Sequence, residues 1–310
     1  DIAVGYRATT VASKYHQLPG SGQVAIGSNS NTYGSRGDVA IGSGAETNIR
    51  VKNVDHTNGP TEKRDAQSVA IGSVAKAYGS QAVAVGADTR AIGNSSVAIG
   101  TDDIELDRAK LQSLLPGLAN NENLNNKAPS DATLGSAALH DKPYYVKTAS
   151  IGTASVALGA MSQAAGDASM AMGLNALAEG DASTAIGPLA RSKGKKSIAM
   201  GVNAQAAGGK GNTAIGHKAK VESAAGDGNI AFGSSASVKD GAGHVVIGKN
   251  ASANTVNGYG IAIGSSASIG IGAAADAAAI GTGSRVEGSG IAFGRQAQVT
   301  ASSTESGIAI

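Results

Sequence analysis

The sequence predicts an all-β chain wound as a parallel β-roll or solenoid, on three observations. A short apolar tooth closed by glycine, such as Val69-Ala70-Ile71-Gly72, returns at near-constant spacing. Aromatic residues are scarce, with no Trp, two Phe and seven Tyr in 310 residues, which suits a thin interior filled by small side chains rather than a rounded core. The repeat is also short: Gly72, Gly86 and Gly100 lie 14 residues apart, whereas a strand with a crossover helix takes about 30.

The teeth continue along the chain. Val156-Ala157-Leu158-Gly159, Met170-Ala171-Met172-Gly173, Thr184-Ala185-Ile186-Gly187 and Ile198-Ala199-Met200-Gly201 keep the 14-residue spacing, and Gly216, Gly233, Gly248, Gly264, Gly281 and Gly294 follow at spacings of 13 to 17. Each tooth alternates with a second segment such as Ala75-Lys76-Ala77-Tyr78-Gly79. Alternating residues closed by Gly predict two short strands and two turns per repeat, with repeats stacked at about 4.8 Å.

In the second segment Ala75 and Ala77 share one face and Lys76 and Tyr78 the other, so one face is buried and the other wet. The tooth has no polar face, because Val and Ile occupy one side and Ala the other. A thin coil buries only one of these sides by itself, and the other is expected to meet a second copy of the chain. The alanines Ala40, Ala70, Ala84, Ala98, Ala157, Ala171, Ala185 and Ala199 are the expected oligomer interface.

Composition narrows the function classes. A net charge of +2, from 25 basic and 23 acidic residues, gives no field able to collect nucleic acid. The absence of Cys removes disulfide and thiolate chemistry. His16, His56, His140, His217 and His244 show no metal-ligand spacing, and no nucleophile elbow or paired-carboxylate signature stands apart from the repeats. Gly270-Ile271-Gly272-Ala273-Ala274-Ala275 imitates a dinucleotide fingerprint but lies in a Gly/Ala-rich array without strand-turn-helix context. No catalysis, metal or cofactor is expected. Asp1-Ile2-Ala3-Val4-Gly5 and Ile308-Ala309-Ile310 cut through teeth, so a longer array is expected, with its membrane anchor outside this stretch.

The recurring Ser/Asn-Val-Ala-Ile-Gly tooth with its Ala-x-Ala-x-Gly partner resembles the head domain of trimeric autotransporter adhesins, the YadA-like family of Gram-negative bacteria. The resemblance runs from residue 1 to residue 310 apart from insertions near 9–20, 48–67 and 101–147. It implies one elongated, left-handed parallel β-roll head and a homotrimer displayed outside the outer membrane on the bacterial cell surface. It also implies a virulence role in attachment to host extracellular-matrix or cell-surface proteins such as fibronectin, laminin or collagen. A projection segment that only holds another binding domain away from the cell is the alternative, and the long polar insertions argue against it.

The insertions and charge runs supply candidate ligand-binding residues. Five of the six prolines, Pro19, Pro60, Pro116, Pro129 and Pro143, lie in insertions, as expected of a residue that cannot donate to a strand ladder. The stretch 48–67 carries Arg50, Lys52, Lys63 and Arg64 around Asn58-Gly59-Pro60, and predicts an outward hairpin. The stretch 101–147 opens with Asp102 as a helix cap and Glu105 three residues later, predicting a helix that ends before Pro116. Arg108 and Lys110 lie on that helix, and Tyr144 and Tyr145 close the insertion. Arg191, Lys193, Lys195 and Lys196 put four cations in six residues, a candidate site for sulfated glycans or acidic proteins. Arg36-Gly37-Asp38 imitates an integrin-binding tripeptide, but sits in a turn leading into a tooth, where Gly and Asp are favoured for backbone reasons.

Overall fold

Residues 1–10, 22–33, 37–47, 67–102, 110, 113–114, 147–222, 224–255, 259–270, 276–300 and 306–310 are described by a computed structural model. The chain divides into two compact units, Asp1–Leu177 and Ala178–Ile310. Both are parallel β-solenoids built from the same coil.

Each coil has a tooth strand and a shorter partner strand, joined by two tight corners. The teeth of the first unit pair in parallel and in register: Val69 faces Val83, Ala70 faces Ala84 and Ile71 faces Val85. Partner strands make a separate ladder in which Lys76 pairs with Arg90 and Ala77 with Ala91. The second unit repeats the scheme, from Thr184–Ile186 against Ile198–Met200 to Ser289–Phe293 against Ser306–Ala309. Strands of two or three residues persist because, between the ends of the stack, their edge backbone groups find partners in the neighbouring coils.

Register survives the insertions. Val39–Ile41 pairs directly with Val69–Ile71 across 48–67, and Val97–Ile99 pairs with Val156–Leu158 across 101–147. The described coils therefore keep one register on either side of each insertion. Within 101–147, Lys110, Ser113 and Leu114 are helical. The expected bounds of that helix, and the expected hairpin at 48–67, lie outside the described residues. No described helix is long and apolar enough to cross a membrane.

The interior is narrow because the tooth and partner strands of one coil face each other across a single layer of small side chains. In the first unit Ala70, Ala75, Ala77, Ala82, Ala84, Ala91 and Ala98 are fully buried and form one cluster. In the second unit the inward position of the partner strand enlarges to Val221, Val238, Ile269 and Val286, beside tooth residues such as Ala214, Ala231 and Ala262. Few other residues fit: an Ala methyl fills the gap between the strands without forcing them apart.

The tooth glycine follows from stacking. Gly72 has φ +132°, and a Cβ there would lie 2.4 Å from the carbonyl oxygen of Gly86 in the next coil. Corners also place non-glycine residues in the left-handed region, Val74 at φ 57° and Met161 at φ 57° among them. Such conformations are costly in isolation. Here neighbouring coils hold them, as where the Val74 N–H donates to the Ser43 carbonyl at 2.8 Å and the Asp88 N–H to the Ser73 carbonyl at 2.8 Å.

Candidate functional site

The described surface carries one unusual feature, the outward side of the teeth. Strand alternation sends the first and third residues of each tooth away from the interior. Ile71, Ile99 and Leu158 in the first unit, and Ile230, Phe232, Ile247, Ile263 and Phe293 in the second, are all exposed on it, Phe232 at 51% and Phe293 at 55%. Stacked coils turn these residues into apolar rows along each unit, which water covers at a cost unless another surface does.

This corrects the expected interface. Ala40, Ala70, Ala84, Ala98, Ala157, Ala171, Ala185 and Ala199 are fully buried inside their own chain and reach no second copy. The physical reason is size. The coil interior accepts only a methyl-sized group at the middle tooth position, so the bulkier Val, Ile, Met and Phe take the outer face.

The discounted Arg36-Gly37-Asp38 motif has its acid inside the coil. Asp38 is fully buried: its carboxylate accepts the Ser68 N–H at 2.9 Å and the Thr47 hydroxyl at 3.2 Å. A carboxylate committed to the coil interior is not presented to an integrin. Gly37 has φ +65°, and Arg36 lies outside the described residues.

The basic run is split by its coil. Arg191 begins a partner strand, pairs in register with Gln205 and is 7% exposed, so its guanidinium does not join an exposed basic ring. Lys193 is half-buried, and the Lys195 ammonium lies 2.8 Å from the Asp181 carboxylate. Lys196 is exposed at a corner with φ 58°. Lys110 is exposed. Arg50, Lys52, Lys63, Arg64, Arg108, Tyr144 and Tyr145 lie outside the described residues.

Two arrangements were missed at the sequence level. The first is a buried polar column at the residues that enter four successive teeth of the second unit, Ser197, Asn212, Asn229 and His244. The Asn212 N–H donates to the Ser197 hydroxyl, the Asn229 N–H to Asn212 Oδ1 and the His244 N–H to Asn229 Oδ1, at 3.1, 2.8 and 2.9 Å. The Gly260 N–H donates to His244 Nδ1 at 2.8 Å, which puts the imidazole proton on Nε2, facing the Thr255 carbonyl at 3.3 Å. Its sequence signal was the polar residue standing immediately before so many teeth. The second is a charge cluster in which Asp88 lies 2.6 Å from Arg90 and 3.1 Å from Lys147. Arg90 also donates to the Val74 carbonyl at 2.9 Å. Nothing in the sequence announces this meeting, because Lys147 reaches it from the far end of the 101–147 insertion.

Among the described residues no group of three or more His, Cys, Asp or Glu is placed to hold a metal. What the described surface offers is apolar rows along the teeth.

Comparison with known families agrees with the architecture. The family model for the YadA head domain repeat matches residues 66–89, 77–102, 150–176, 165–190 and 192–219, together about a third of the chain. No curated protein matches the sequence. The matched spans take in both tooth and partner strands, so the coils over these residues match the YadA head repeat.

Proposed function

We propose that this chain is the head of a bacterial surface adhesin that attaches to host extracellular-matrix or cell-surface proteins, of the fibronectin, laminin or collagen class, without catalysis. The observation that carries the reading is the match of its coils to the YadA head repeat. YadA-like heads are trimers exposed on bacteria, and the apolar tooth rows give this chain a surface suited to self-association. In the proposed homotrimer the outward residues Ile71, Ile99, Ile230, Phe232 and Phe293 pack between copies. Each ligand site is then presented three times, and the first engagement raises the effective concentration for the next. Handedness is proposed to be left-handed, as in the family, with the whole chain acting as one head.

The test joins assembly to binding. Sedimentation equilibrium at micromolar concentration is expected to give about three times the single-chain mass of 30.2 kDa, and the trimer is expected to bind at least one immobilised matrix protein saturably. A folded monomer would overturn the assembly. A trimer that bound no matrix protein and no host cell would instead favour a projecting spacer.

A further inference from the structure

One corner of the second unit differs from the same corner elsewhere. After each tooth glycine the chain turns through two residues before the partner strand. In successive coils these are His217-Lys218, Ser234-Ser235, Lys249-Asn250, Ser265-Ser266, Thr282-Gly283 and Arg295-Gln296. Backbone hydrogen bonds stack them directly: Ser235 N–H to the His217 carbonyl, Asn250 to Ser234, Ser266 to Lys249, Gly283 to Ser265 and Gln296 to Thr282, all at 2.8 to 2.9 Å. The six pairs contain no acid and no apolar residue. Equivalent corners earlier in the chain carry acids or apolar residues at Asp88, Asp102, Ala160-Met161 and Pro188-Leu189, while the polar corners Ser28-Asn29 and Ser43-Gly44 carry no cation.

The outward residue of the adjoining partner strand extends the same chemistry. It is Lys220, Ser237, Ser252, Ser268, Arg285 and Gln298 in these six coils. Lys220 pairs with Glu222 at 3.3 Å and Arg285 with Glu287, so these two cations are neutralised at the far edge of the face. Lys218, Lys249 and Arg295 are exposed, and among the described residues none of them is held in an ion pair. With coils about 4.8 Å apart, Lys218 and Lys249 are separated by about 10 Å and Lys249 and Arg295 by about 14 Å.

We propose that this corner is a binding track for a linear acidic polysaccharide of the sulfated type. Exposed cations recur in three of the six stacked corners, Lys218 at the second position and Lys249 and Arg295 at the first, and the same corners offer the hydroxyls of Ser234, Ser235, Ser265, Ser266 and Thr282 with the amides of Asn250 and Gln296. A ligand that alternates anionic groups with hydroxyls satisfies both sets. Nucleic acid fits less well, since its charges follow one another at about 3.4 Å per strand, and no aromatic side chain lies on the face to stack a base. An anionic membrane would need apolar residues to insert, and the face has none. The track is separate from the Lys193, Lys195 and Lys196 corner, where Asp181 already holds Lys195.

The experiment uses the 310-residue chain, with heparin as probe and neutral dextran as the uncharged comparison. Wild type is expected to bind heparin saturably, with affinity falling as salt rises, and to ignore dextran. The Lys218→Ala/Lys249→Ala/Arg295→Ala variant changes only exposed side chains. It is expected to lose roughly 100-fold in affinity and to show a flatter salt dependence, since fewer cations contact the polyanion. Lys195→Ala/Lys196→Ala is expected to bind within about twofold of wild type, as expected for a separate surface. The proposal is overturned if folded wild type ignores heparin, if the two variants lose affinity equally, or if an oligonucleotide or anionic vesicle binds the track more tightly. Binding to matrix protein is followed in parallel. Its survival in the triple variant separates this track from the adhesive function proposed above.

Discussion

Asn229 and His244 hold the same place in adjacent coils, and Asn229 Oδ1 accepts the His244 backbone N–H at 2.9 Å. His244 then does the same for Gly260 through Nδ1. In coils that enter the tooth through a tight turn, the equivalent N–H is satisfied locally, as where Ser197 donates to the Gly194 carbonyl at 3.2 Å. Where that turn is altered, a buried side chain from the preceding coil supplies the acceptor. His244→Ala is expected to destabilise by about 2–4 kcal/mol, from a stranded Gly260 N–H and the cavity left behind. His244→Asn, which copies Asn229, is expected to cost less than half as much. Urea midpoints of the two variants decide the matter, and equal losses would refute the acceptor role.

Asp38 gives a second comparison. Asp38→Ala removes the acceptor for the Ser68 N–H and the Thr47 hydroxyl, and is expected to cost about 2–3 kcal/mol. Adhesion of integrin-bearing cells to the folded variant is expected to equal that of wild type. A selective loss of adhesion at unchanged stability would restore the tripeptide as a ligand.

At Gly72, alanine meets both an unfavourable φ of +132° and the Gly86 carbonyl oxygen at 2.4 Å. Gly72→Ala is therefore expected to destabilise by about 3 kcal/mol or more. Thermal unfolding followed by circular dichroism checks it, and a loss below about 1 kcal/mol would mean that the coils separate more easily than their ladders imply.

The two faces of one tooth predict opposite phenotypes. Phe232→Asp, on the outer face, is expected to leave the coil folded and shift the sedimenting species toward monomer. Ala231→Leu, at the fully buried position beside it, is expected to cost about 1–3 kcal/mol through overpacking. Were Ala231→Leu to dissociate a stable fold while Phe232→Asp left the mass unchanged, the alanine face would be the interface after all.

Asp88 sits between Arg90 and Lys147, both less than a tenth exposed. Asp88→Ala leaves two neighbouring cations facing each other with little water. A loss of about 2–4 kcal/mol is expected, and a further Lys147→Met substitution is expected to recover part of it. Double-mutant unfolding curves measure the coupling, and strict additivity would argue against the cluster.

The coil was legible in the sequence because its rules are local. A glycine-closed tooth, an alternating partner segment and a spacing too short for a helix permit few chain paths, and Ala75, Lys76 and Gly72 behave as their pattern predicts. The position of a side chain among other coils was less legible. Arg191 belongs by sequence to an exposed-looking run, yet the strand that it begins draws it against its neighbours. Lys147 is separated from Asp88 by an insertion that local patterns cannot fold away.

By itself, then, the sequence determined the repeat, the parallel solenoid and the need for a thin alanine-rich interior, since period and side-chain volume carry that information along the chain. Only the tertiary structure decided which apolar face of the tooth turns outward, that Asp38 is a buried acceptor, and that His217, Lys218, Lys249 and Arg295 line one corner. Those outcomes depend on the stacking of residues 13 to 17 positions apart at about 4.8 Å, which converts wide separation in sequence into direct contact in space.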